Sequence, residues 1–240
     1  MKIVWIDPGH GGKDPGAVGI GVLEKDVVLN ISLGVKKRLE ADYEGVKVHL
    51  SRSTDVFLEL SERTNAANKA GADILVSIHC NGAGGEGGFE TFRYTNASTA
   101  SRSLQNVLHT EIMAALKPFN IRDRSQKAKN LHMCRESRMP AVLTENLFIG
   151  VATDAAKIKR QEVIDALIAG HVAGIAKYLG LKQKEGKQVT KERDINVVSP
   201  WASTAWEAAT KLGYFDGSRP GAPITREELA IVIMRMENKK

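Results

Sequence analysis

The chain has 240 residues, 42% of them hydrophobic and 26% charged. That is enough apolar side chain for one ordinary domain plus an appendage, and too much for a chain disordered throughout. No apolar run approaches the ~18 residues of a membrane span, so no membrane partner is expected. Lysine and arginine outnumber aspartate and glutamate by six, which points to an anionic partner. Aromatic residues, at 5%, are too few for a protein that stacks many bases, so nucleic acid is not expected either.

Lys2 to Ile6 is a short β-rich run, and Asp7 to Gly21, with six glycines and two prolines, reads as loop. From Asp26 onward Val27, Ile31 and Val35 recur at helical spacing, flanked by Val28 and Leu39. Gly45 precedes an alternating strand, Val46 to Leu50. A second helix spans Leu58 to Ala70, with Leu60, Thr64 and Ala67 on one stripe and Gly71 as its stop. Ile74 to Ile78 reads as a strand covered on both faces. A glycine-rich stretch then leads to Phe89 to Tyr94, expected as a short edge strand. Ser98 to Leu116 forms a long helix, followed by a basic loop, Arg122 to Arg138. Ala141 to Thr144 supplies a fourth apolar strand, and Ile158 to Leu179 a last helix.

Strands alternating with helices imply an α/β fold: a mostly parallel twisted sheet with helices on both faces, plus a small helical C-terminal segment. The expected boundaries are 1–180 for the main domain, 181–198 for a charged linker without pattern, and 199–240 for the appendage. The appendage holds two of the three tryptophans and two expected helices, Pro200 to Leu212 and Arg226 to Met236. Cys80 and Cys134 are too few and too far apart for a disulfide framework, and read as reduced thiols. The residues before Asp7 are too short a run for a signal peptide, so the product is expected to accumulate first in the cytoplasm.

Sites in open α/β sheets form beyond the carboxyl ends of the strands. After the first strand come Asp7-Pro8-Gly9-His10-Gly11-Gly12, with Glu24 closing the same loop; after the third come His79-Cys80-Asn81-Gly82; after the fourth, Glu145-Asn146. Two histidines and two glutamates thus sit where their side chains converge. Two imidazoles and a carboxylate are the ligand set of a catalytic Zn2+ site, with a second carboxylate beside it to move protons. Spacing leaves open which glutamate has which role.

These motifs, with Arg52-x-x-Asp55, Leu60-x-x-Arg63 and Ala67-Asn68, resemble the zinc-dependent N-acetylmuramoyl-L-alanine amidases of the amidase-3 type over residues 1–180. The resemblance implies that His10, Glu24 and His79 bind zinc and that Glu145 is the general base and acid. The implied reaction is hydrolysis of the amide joining N-acetylmuramic acid to L-alanine in peptidoglycan, the bacterial cell wall. At Asn146-Leu147 the chain departs from the family's pattern of a small residue and glycine. A zinc peptidase acting within the stem peptide would use the same metal chemistry. A non-catalytic wall-binding protein of the same fold would have lost a ligand or Glu145, and neither is lost.

Among the other histidines, His132 in Asn130-Leu131-His132-Met133 is the one that would line a cleft. His49, His109 and His171 read as structural. The run Arg122, Arg124, Lys127, Lys129, Arg135 and Arg138 reads as a solvated surface, or as an attractor of substrate carboxylates. Residues 199–240 resemble one S-layer-homology-type repeat, which implies wall targeting. Packing of Trp201 and Trp206 into a mini-core, or a homodimer formed through this segment, are the alternatives. A wall-cutting enzyme without a signal peptide fits a bacteriophage endolysin released by lysis, or a sporulation autolysin.

Overall fold

The computed structural model describes residues 1–82, 85–184 and 203–214. The chain divides into two units, Met1–Lys184 and Glu185–Lys240.

The first unit is built on a six-stranded sheet of order β4-β1-β5-β8-β6-β7. Its strands are β1 (Lys2–Pro8), β4 (Val46–Leu50), β5 (Ile74–Asn81), β6 (Phe89–Arg93), β7 (Asp123–Ala128) and β8 (Ala141–Phe148). A separate two-stranded ribbon, β2 (Val18–Gly19) with β3 (Val22–Leu23), rises inside the first glycine-rich loop. Strands β4, β1, β5 and β8 are mutually parallel; β6 runs antiparallel to β8 and parallel to β7. The helices are α1 (Glu24–Asp42), α2 (Leu60–Lys69), α3 (Thr99–Leu116), α4 (His132–Arg135), α5 (Ala152–Ile158) and α6 (Gln161–Leu179).

Alternation along the strands divides the core in two. Val4, Ile6, Ile74, Val76, Ile78 and Val142 pack with Val28, Ile31, Val35 and Leu39 of α1, Leu104, Leu108 and Ile112 of α3, and Val163 and Leu167 of α6. The intervening residues Trp5, Leu75 and Ala141 meet Ala67 of α2 and Met133 of α4 on the opposite face. Helices α3 and α6 approach closely because α6 presents Gly170 and Gly174: a Cβ at Gly170 would lie 2.6 Å from the Ile112 Cα. Ser98 caps α3, a reciprocal Glu59/Glu62 capping box opens α2, and Gly180, at φ 62°, ends α6.

Several expectations are corrected. The segment Phe89 to Tyr94 is not the edge: β6 lies inside the sheet, and the edge strand is β7, within the expected basic loop. The fourth strand continues to Phe148 instead of stopping at Thr144. The last helix, expected from Ile158, starts at Gln161 as α6, and a separate short helix that was not expected, α5, precedes it and ends at Ile158. Residues 181–184, expected as the start of a linker, are tied to the end of α1: Glu44 N donates to Lys182 O (2.9 Å) and Lys184 N to Asp42 O (2.9 Å).

In the second unit, α7 (Ser203–Lys211) forms within the expected helix Pro200 to Leu212. Trp201, the helix Arg226 to Met236 and most of the segment proposed for wall attachment or pairing lie outside the described residues. Among the described residues, no helix is long and apolar enough to cross a membrane.

Candidate active site

The pleat that sends Leu75 and Ala141 to the α2 face sends Ser77, His79, Leu143 and Glu145 there too, since all lie at even spacing along β5 and β8. Trp5 and Asp7 do the same on β1. The site therefore forms where that face reaches the carboxyl edge of the parallel strands.

His10 follows β1 in a left-handed conformation, φ 58°, succeeded by Gly11 and Gly12, also at positive φ. Two buried arginines hold this unusual backbone. Arg63 donates to Asp7 Oδ1 (3.0 Å), Pro8 O (2.7 Å) and His10 O (2.6 Å), while Arg52 donates to Pro8 O (3.2 Å), Gly9 O (2.6 Å) and Lys25 O (2.8 Å). Asp7, itself buried, also accepts from Ser51 and Ser77. The histidine loop is thus anchored by charge-assisted bonds to backbone carbonyls that would otherwise be buried without partners.

Glu24, the first residue of α1, is the meeting point. Its Oε1 lies 3.1 Å from His10 Nε2 and 3.0 Å from His79 Nδ1, and accepts from Cys80 N at 3.0 Å; its Oε2 accepts from Ala17 N at 2.8 Å. One ligating atom from each of His10, Glu24 and His79 falls within 4.8 Å of the others. On the far side of the first imidazole, Nδ1 lies 2.8 Å from Asp14 Oδ2. A carboxylate accepts only, so Nδ1 carries a proton and Nε2 is the nitrogen that faces Glu24, donating to it when the ring is charged and offering a lone pair when it is neutral. With the ring neutral, two acceptors face each other at 3.1 Å, a gap that a bound cation would fill.

The electrostatics agree. Burial works against a charged His10, but Glu24 and Asp14 outweigh it and raise its pKa to about 8. Burial likewise opposes charge on His79, and Glu24 and Glu145 reverse the direction. Burial would raise the Glu24 carboxyl, yet the two histidines and the Ala17 amide hold it well below the usual carboxylate range. The donor set therefore suits a cation.

Glu145 pairs in register with His79 on the neighbouring strand. Its Oε2 is buried with no hydrogen-bond partner. Burial pushes its pKa to about 7; the histidines pull it down, while Glu24 and Glu90 add to the rise. A carboxyl poised there accepts and returns a proton near neutral pH. Beyond His10 and His79 opens a cleft of about 350 Å³, walled by Phe57, Leu58 and Leu60 with Asp14 and Glu59.

The model of the N-acetylmuramoyl-L-alanine amidase family Amidase_3 matches residues 4–177. The chain belongs to this family. It is 47% identical over 195 residues to an endolysin of Bacillus phage SPP1, covering 80% of this chain and 72% of that one. To the sporulation-specific N-acetylmuramoyl-L-alanine amidase of Bacillus subtilis it is 44% identical over 183 residues, covering 76% and 70%. Among solved structures, the catalytic domain of CwlV, an N-acetylmuramoyl-L-alanine amidase from Bacillus (Paenibacillus) polymyxa var. colistinus, superposes with a TM-score of 0.71 at 36% identity. That match covers 76% of this chain and all of that domain.

Of the residues singled out in the sequence, His10, Glu24 and His79 come together, and Glu145 stands beside His79. His132 is not among the residues lining the cleft; its Nε2 meets Thr64 Oγ1 at 3.3 Å, joining α4 to α2. Sequence reasoning missed Asp14, which fixes the His10 ring, and Glu90, which stands opposite Glu145. The i,i+4 spacing of His10 and Asp14 was the available signal for the first. The departure at Asn146-Leu147 has a structural counterpart. Leu147 adopts φ 71°, a conformation at which glycine is at ease, and Asn146 Nδ2 donates to His79 O at 2.9 Å.

Proposed function

We propose that the chain hydrolyses the amide between the lactyl group of N-acetylmuramic acid and L-alanine in peptidoglycan. In this reading His10, Glu24 and His79 hold zinc, and Glu145 is the general base and acid. The observation that supports it best is the convergence of one ligating atom from each of His10, Glu24 and His79 to within 4.8 Å of one another, beside the buried carboxyl of Glu145. Two imidazoles and one carboxylate are the donors of a hydrolytic zinc site with its fourth position open. When bound, zinc supplies a Lewis-acid charge that polarises the scissile carbonyl and lowers the pKa of a water to about 7.

The chain's own residues do the rest. Glu145, poised near neutrality, takes the proton of the attacking water and hands it to the nitrogen of the departing alanine. Asp14 fixes the tautomer and orientation of His10. Arg52 and Arg63 keep the loop in its left-handed turn, so the donors stay aligned between turnovers.

Relatives named as an endolysin and as amidases support the bacterial cell wall as the place of action. Within the same proposal residues 1–180 do the chemistry, 181–198 link, and 199–240 bring the enzyme to the wall.

The test is digestion of purified cell walls by zinc-loaded and by chelated protein, with the products identified by mass spectrometry. Zinc-dependent release of stem peptides beginning with free L-alanine is expected. Peptides cut internally, with the alanine still on the sugar, would establish the peptidase reading instead.

A further inference from the structure

We infer that Arg124 and Lys127, anchored on Glu90, form a subsite for a carboxylate of the stem peptide, so that the peptide side of the scissile amide lies over β6 and β7. The inference rests on the amidase reading above.

Glu90 on β6 is directly opposite Glu145 on β8 in the antiparallel register. Cβ atoms of such a pair are about 5 Å apart, and like charges so placed are unfavourable. Glu90 is also buried, at 4% exposure, which adds a desolvation cost. Its partners offset both. Lys127 Nζ donates to Oε2 at 2.5 Å, Arg124 Nε to the same oxygen at 2.9 Å, and Asn81 Nδ2 to Oε1 at 3.2 Å. One carboxylate thus holds two cations and leaves the cluster one positive charge in excess.

Among the described residues the two cations keep outer donors that no partner takes up. The Arg124 guanidinium lies over the Phe148 ring, 4.7 Å from its centroid, and donates Nη1 to Gly87 O at 3.4 Å. Its Nη2 makes no hydrogen bond among the described residues. The side chains of Arg124 and Lys127 are 24% and 39% exposed, whereas that of Glu90 is 6% exposed. A guanidinium fork fixed against a carboxylate and an aromatic ring, beside an ammonium, is a preorganised receptor for a second carboxylate.

The two ends of the scissile amide differ in charge. On the acyl side sits a neutral lactyl group on a sugar; on the amine side follow peptide residues bearing carboxylates. On the other side of the His10/His79 pair the cleft presents Phe57, Leu58 and Leu60 together with Asp14, Glu59 and Arg63, whose donors are already engaged by Asp7 and backbone carbonyls. Those groups accept a sugar face and repel a carboxylate. Because the partly exposed cations lie on the β6 and β7 side, the sugar is assigned to the apolar cleft and the peptide to Glu90, Arg124 and Lys127.

The test uses two synthetic N-acetylmuramoyl peptides that differ only in the α-carboxyl of the residue after L-alanine, free in one and amidated in the other. For the full chain loaded with zinc, kcat/KM is expected to be at least about tenfold higher for the free carboxyl, through a lower KM. The double variant Arg124→Gln/Lys127→Gln is expected to lose that preference. It leaves Glu90 buried without cations, so the triple variant with Glu90→Gln, neutral throughout, tests the same loss in a protein with no stranded charge. Equal KM values in the wild type, or a preference that survives in the triple variant, would overturn the subsite. Cleavage of neither ligand would overturn the amidase reading, and the subsite with it.

Discussion

Asp14 Oδ2 lies 2.8 Å from His10 Nδ1, on the side of the imidazole away from Glu24. The pairing is local, four residues along a loop whose Gly11–Asp14 bridge closes it, yet it decides which ring nitrogen faces the other donors. Replacing Asp14 with alanine frees the ring to flip and to change tautomer. A weakening of zinc affinity by about 10- to 100-fold is expected, which competition against a chelator reads directly. Unchanged affinity would mean that the aspartate does not orient the ligand.

Arg63 and Asp7 form a buried ion pair, 3% and 1% exposed, 3.0 Å apart. Arg63→Met removes the cation, leaving the buried Asp7 carboxylate with only the Ser51 and Ser77 hydroxyls and the His10 carbonyl without its donor. A loss of roughly 3–5 kcal/mol in unfolding free energy is expected from urea titration. Arg63→Lys recovers only part of it, because one ammonium does not span three acceptors.

Gly9 faces the His79 ring so closely that a Cβ would overlap it. Gly9→Ala is expected to displace the ring and abolish zinc binding while the circular dichroism spectrum stays native. Full zinc stoichiometry in this variant would contradict the packing described.

His171 on α6 is fully buried between Leu167 O, 2.8 Å from Nδ1, and Thr144 Oγ1, 3.0 Å from Nε2. Burial pushes its pKa down from the ordinary 6.5 to about 4, despite the bond to Leu167. The folded state therefore keeps the ring neutral where the unfolded chain takes up a proton. The associated stability is complete above pH 6.5 and is lost as pH falls to 4, by up to about 3 kcal/mol. In chelated protein the wild type should lose stability more steeply over that window than His171→Gln does. Parallel slopes would contradict it.

Most of the sheet was legible because β1, β5 and the start of β8 are apolar runs buried on two faces, and the site because each of His10, His79 and Glu145 follows or ends such a run. Strand β7 was not legible. Its residues Asp123–Ala128 are polar edge positions held by backbone pairing to β6, so no hydrophobic period marks them. That one omission made β6 look like the edge and Arg124 and Lys127 look like a solvated loop. The end of β8 was hidden for a related reason: Glu145 and Asn146 break the apolar run, although the pairing continues to Phe148. Arg52 and Arg63 are marked only by the family resemblance and Asp14 only by its spacing from His10, because their partners are carbonyls and a ring that only the folded loop brings within reach.

The central claim is that Glu145 moves the protons beside a zinc held by His10, Glu24 and His79. The most direct measurement is the digestion rate of purified walls by Glu145→Gln, with its zinc content determined on the same sample. Release of peptides beginning with L-alanine is predicted to fall by about 10²- to 10⁴-fold while zinc stays at the wild-type level. Release at the wild-type rate would contradict it.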